Sequence, residues 1–144
     1  MPTVTRVRIE GVPGAAMAAF KAASDRTGES QTDVINWCLS LFSRSYPNSP
    51  FYWAPGDGGA LVRVSEEPLV GGRPGSHLTV NLLPRALQGL CNSRSRYRCD
   101  DDGVLARAAQ LAEYYDRRDG QLGYGFAAGN AVMSMALLHM VPTS

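Results

Sequence analysis

The stretch Thr27-Gly28-Glu29-Ser30-Gln31-Thr32-Asp33-Val34-Ile35-Asn36 constrains this chain most, because it reads as a helix end, a tight turn and the capped start of a second helix. Gly28 can take the positive φ that closes a helix. Ser30 can accept from a first-turn amide, and Asp33 three residues later gives the capping-box spacing. Whatever precedes and follows must accommodate two helices joined at this turn.

Upstream, Val4 to Gly11 alternates, with Thr5, Val7 and Ile9 on one side and Arg6, Arg8 and Glu10 on the other, the pattern of a two-faced strand. Pro13 suits a first helical turn, and Ala15 to Arg26 follows as a short helix with Ala16, Met17, Phe20 and Ala23 as its inward stripe. The second helix runs from about Gln31 to Tyr46 and is stopped by Pro47. One flank carries Ile35, Cys38, Leu39, Phe42 and Tyr46, the other Val34, Trp37 and Leu41. One strand and two helices enclose too little core to bury a helix apolar on two sides, so residues 1–46 require a partner surface.

This strand, helix, turn, helix order resembles the ribbon-helix-helix family of DNA-binding proteins. The resemblance is carried by Thr5-Arg6-Val7-Arg8-Ile9 and, more specifically, by Arg26 to Asn36. It implies that two such units pair their strands into an antiparallel ribbon whose outward side chains enter the DNA major groove, while the helices build a shared core.

Residues 47–75 read as a linker of prolines and glycines around a short strand, Ala60-Leu61-Val62-Arg63-Val64, with Phe51, Tyr52 and Trp53 expected to pack over the second helix, the alternative being contact with a ligand or nucleic acid. Residues 76–118 then repeat the layout of the first unit with little identity. His77 to Leu82 alternates as a strand, Leu83-Pro84 takes the place of Val12-Pro13, and Arg85 to Ser93 forms a short helix. Asp102 to Leu111 aligns with Thr32 to Leu41, and Val104, Ala108, Leu111 and Tyr115 share a face. The expected fold class is therefore α+β and mostly helical, with tandem ribbon-helix-helix units sharing a two-stranded antiparallel ribbon as a single-chain pseudo-dimer. Residues 119–144 are expected to add a C-terminal apolar helix, which completes the core or meets a protein partner or second copy.

On the ribbon, Arg6 and Arg8 are candidates for guanine edges and Asn81 for adenine, with Glu10, His77 and Thr79 on the same outward face as further base contacts. The resemblance implies that Ser30, Gln31 and Thr32 hold DNA phosphate at a helix start. The corresponding turn, Arg94 to Asp102, lacks the glycine and carries Asp100, Asp101 and Asp102, which suit a helix N-terminus but repel phosphate. There Arg94, Arg96 and Arg98 are the expected phosphate contacts. Adjacent aspartates rarely converge on one ion, so no metal or other cofactor is assigned.

A formal charge of +1 gives no global basic field, so any contact with double-stranded DNA rests on a local arrangement of arginines, which make up thirteen of the fourteen basic residues. Cys38, Cys91 and Cys99 form no metal-ligand or disulfide spacing, and no signal peptide is visible, which together point to the cytoplasm. The most apolar run, Phe126 to Val141, is too short and interrupted to cross a bilayer. No nucleophile-base set or phosphate-binding glycine motif stands out, which argues against an enzyme. The expected function is sequence-specific DNA binding and transcriptional repression. The alternative is an antitoxin-like or assembly protein that uses the fold for pairing.

Overall fold

A computed structural model describes residues 3–44, 51–55, 61–73, 77–115, 121–128 and 131–139. Among the described residues the chain is α+β, with four α-helices and a two-stranded antiparallel sheet. That sheet pairs β1 (Thr5–Ile9) with β4 (Leu78–Leu82), in the register Arg6 to Asn81, Val7 to Val80 and Arg8 to Thr79. Alternation decides which face is covered: Ile9, Val80 and Leu82 are buried, while Arg6, Arg8, Thr79 and Asn81 are exposed.

The buried side of the ribbon joins one core with four helices, α1 (Gly14–Thr27), α2 (Gln31–Leu41), α3 (Pro84–Tyr97) and α4 (Asp101–Ala112), of which α2 and α3 contact β4. The turn between α1 and α2 forms as its residues dictate, with Gly28 at φ 75° and the Ser30 hydroxyl accepting the Asp33 N–H at 3.0 Å. Helix α1 packs on α4, α3 packs on α2, and α2 meets α4 at the centre. The buried positions repeat: Ala16, Phe20 and Ala23 of α1 have the spacing of Ala86, Leu90 and Ser93 of α3. Val34, Ile35, Cys38, Leu39 and Leu41 of α2 likewise have the spacing of Val104, Leu105, Ala108, Ala109 and Leu111 of α4. The two-sided apolarity of α2 is thus accounted for by helices on several sides.

Helix α3 runs one turn beyond the expected Ser93, and Arg98 closes it at φ 51° where the first unit uses glycine. A non-glycine residue in this region costs roughly 1–2 kcal/mol. Arg26, at the end of α1, donates from Nη2 to the carbonyls of Ala112 (3.2 Å), Glu113 (3.2 Å) and Tyr115 (2.8 Å), so one guanidinium caps the last turn of α4. Trp37 meets the Tyr115 ring edge-on at 5.3 Å.

The connection between the halves is anchored. Val64 is buried, Leu69 N–H donates to the Ala106 carbonyl at 2.8 Å, and the carbonyls of Gly71 and Arg73 accept from Ala15 and Gly14 at the start of α1. It also holds two strands where one was expected: β2 (Phe51–Pro55) and β3 (Leu61–Arg63). How the Phe51, Tyr52 and Trp53 side chains pack lies outside what is described.

The C-terminal helix expected at 119–144 is corrected by the structure: β5 (Gln121–Ala128) and β6 (Ala131–His139) pair antiparallel, and β5 also pairs with β2. The resulting sheet has the order β3-β2-β5-β6. Gly123 and Gly125 would each weaken a helix by about 1 kcal/mol, whereas Tyr124 and Phe126 favour a strand. Helix-favouring Ala, Met and Leu dominate β6, where pairing overrides local preference. Among the described residues no helix is long and apolar enough to cross a membrane.

Candidate functional site

The surface with the most concentrated chemistry is the outer face of the β1–β4 ribbon. Direct pairing sets Arg6 across from Asn81 and Arg8 across from Thr79, so four exposed side chains form a two-by-two patch over a buried floor. Glu10 follows β1 and His77 precedes β4; both are exposed. The six residues expected to contact bases therefore lie at one ribbon.

Within that patch the two arginines differ. Arg8 Nε donates to Glu10 Oε1 at 2.7 Å, with both side chains well exposed. Arg6 forms no ion pair among the described residues. The floor is held by a residue that the sequence reading missed: Asn36 of α2, only 2% exposed, donates from Nδ2 to the carbonyls of Thr32 (2.9 Å) and Asn81 (3.0 Å). Its Oδ1 accepts the Leu83 N–H at 2.8 Å. The signal was present, since an asparagine amid Val34-Ile35 and Trp37-Cys38-Leu39 is a polar group on a buried helix and needs partners there.

Asn36 also sets the first turn of α2 beside the end of β4. Ser30 and Thr32 are exposed and Gln31 is half-buried, so the helix start carries an oxygen cap and outward amides next to the ribbon. At the other end of the ribbon stands the start of α4. There Arg8, Ile9, Glu10, Arg94 and Asp100 to Asp102 line a cleft of about 330 Å³. Asp100 makes no side-chain cap, and Arg94 Nε lies 3.4 Å from Asp101 Oδ1.

The three arginines expected at phosphates have different surroundings. Arg94 is engaged with Asp101 and donates from Nη2 to Cys91 Sγ at 3.2 Å, and Arg98 is exposed at the helix end. Arg96 is turned into the protein, donating to Glu66 Oε1 at 2.5 Å, and the Tyr97 hydroxyl donates to the same oxygen at 2.7 Å. Arg96 therefore fastens the connection between the halves. Sequence spacing gave no sign of this, because Glu66 lies thirty residues away on an irregular segment.

Burial, followed by the bond to Glu66, pushes the Tyr97 phenol well above its ordinary range, and burial does the same to the Cys38 thiol. Both groups ionise earlier in the unfolded chain, so their stabilising contribution is complete below the unfolded values and lost as pH rises through the folded ones. Stability should hold to about pH 8.5, decline as unfolded Cys38 ionises, and decline more steeply above about pH 10. In urea titrations across this range, Tyr97→Phe should show a shallower loss above pH 10; equal slopes in both proteins would refute the assignment.

Among the described residues no group of three histidine, cysteine or acidic side chains is placed to hold a metal ion. Comparisons with family models, curated proteins and solved structures returned no match.

Proposed function

We propose that the protein binds double-stranded DNA in a sequence-specific manner through the outer face of its ribbon, acting as a transcriptional repressor. One observation carries the reading: among the described residues, a two-stranded ribbon with helices packed on one face presents Arg6, Arg8, Thr79 and Asn81 together on the other. A two-stranded β-ribbon fits a major groove about 12 Å wide. Arginine can donate two bonds to guanine O6 and N7, and asparagine can pair with adenine N6 and N7. The chain is a fused pseudo-dimer of two ribbon-helix-helix units, a reading supported by the β1–β4 pairing and the repeated burial spacing of the helices.

The two flanks would hold the DNA backbone unequally. The start of α2 offers amides and hydroxyls to a phosphate, whereas Asp100 to Asp102 oppose one at the start of α4. Arg98 suits a phosphate contact better than Arg94 or Arg96, whose guanidiniums are engaged within the protein.

Fluorescence anisotropy of labelled DNA from the gene's own upstream region, against an unrelated fragment at two salt concentrations, tests the proposal. Selective binding that weakens with salt is expected. Arg6→Ala should cost about 1–3 kcal/mol on the preferred sequence and relax preference at one base position. No binding to that region or to pooled genomic fragments would sink the reading.

A further inference from the structure

The ribbon arginines sit in unlike electrostatic settings. Arg6 faces Asn81 across the strands, while Arg8 gives its Nε–H to Glu10 and lines the cleft with Asp100, Asp101 and Asp102. We infer that Glu10 is a specificity-determining residue that holds Arg8 for reading a guanine edge and keeps it from acting as a general phosphate contact. The inference rests on the DNA-binding reading proposed above.

The five N–H donors of the guanidinium are fixed in one plane. With Nε–H committed to Glu10 Oε1 at 2.7 Å, the two Nη groups remain, and their shared edge can give two parallel bonds to guanine O6 and N7. Glu10 directly follows β1, two residues beyond Arg8, and its carboxylate accepts from Arg8 Nε. The pair thus favours one orientation of the guanidinium, with its Nη edge left for a base.

Charge adds a second effect. A phosphate approaching Arg8 meets Glu10 and the aspartates of the cleft, whereas the neutral edge of a base carries no net charge for them to repel. Phosphate is therefore penalised at Arg8 more than guanine is. Arg6 has no such filter among the described residues and is suited to affinity on any sequence as well as to base contact. Exposed pairs of this kind contribute little to folding, so the role is separable from stability.

The test uses the full chain, the tightest duplex selected from a randomised library, and single-base variants of that duplex. Glu10→Ala should tighten binding to unrelated DNA about threefold and lower the ratio of specific to unrelated affinity about tenfold, within the range that one bidentate contact can supply. The salt dependence on unrelated DNA should steepen by about one phosphate equivalent. Glu10→Gln, which keeps an acceptor but loses the charge, should hold more of the base preference than Glu10→Ala. In an Arg8→Ala background, Glu10→Ala should leave the ratio unchanged. Unchanged melting temperatures would assign these effects to the interface. If Glu10→Ala shifts every duplex by one factor, with ratio and salt slope constant, the inference is overturned while the ribbon reading stands. If the parent protein selects no duplex, both are overturned.

Discussion

Replacing Gly89 by alanine is expected to destabilise the protein by about 3 kcal/mol, which for a chain of this size lowers the melting temperature by about 10 °C. At an exposed helical position the same change would stabilise by up to about 1 kcal/mol through helix propensity. Here the steric effect wins. A Cβ on Gly89 would fall 1.8 Å from the Leu39 carbonyl oxygen and 2.9 Å from its carbon, both backbone atoms of α2. Relief requires α3 and α2 to separate, and these helices join the two halves of the core. Gln88→Ala, one position along on the exposed face, should leave the melting temperature within a degree or two of the parent. A Gly89→Ala protein as stable as the parent, measured by differential scanning calorimetry, would show that the helices do not approach this closely.

Asn36→Leu is the second large effect expected, about 3 kcal/mol of lost stability despite similar side-chain volume. Leucine would leave the Leu83 N–H and the Asn81 carbonyl without the partners that Asn36 supplies at 2.8 and 3.0 Å. An unsatisfied buried group of this kind costs about 1–3 kcal/mol, and added apolar contact offsets only part of two such losses. Asn36→Asp keeps an acceptor for Leu83 but sets a carboxylate against the carbonyls of Thr32 and Asn81, so it should rescue little at neutral pH. Urea denaturation of the three proteins checks this. Full stability in Asn36→Leu would mean that the helix-to-ribbon link is carried elsewhere.

The parts of this fold legible in the sequence are those fixed by local chemistry. Period-two alternation marked both ribbon strands and separated Arg6, Arg8, Thr79 and Asn81 from the buried side. Gly28, Ser30 and Asp33 marked the turn between α1 and α2 because each acts within a few residues of itself. Arg98 shows the limit of such rules, since an expected glycine was absent and the positive φ was adopted regardless. The strands β5 and β6 escaped because β6 is built of helix formers and becomes a strand through its pairing with β5. Within the candidate site, residue identity indicated the outward face, but the roles of Arg8 and Arg96 depended on acids beside them in space. Glu10 is a near neighbour in sequence, whereas Glu66 is brought to Arg96 by the connection between the halves.

We propose that one chain carries a complete DNA-reading ribbon made of two unlike strands. Selection of duplexes from a randomised library by this chain, followed by sedimentation to count chains on the selected DNA, is the decisive experiment. A single enriched motif without two-fold symmetry, bound by one chain, is expected, because β1 presents two arginines where β4 presents threonine and asparagine. A palindromic motif occupied by two chains would contradict the single-chain ribbon, and a library that emerges without enrichment would contradict the reading of DNA itself.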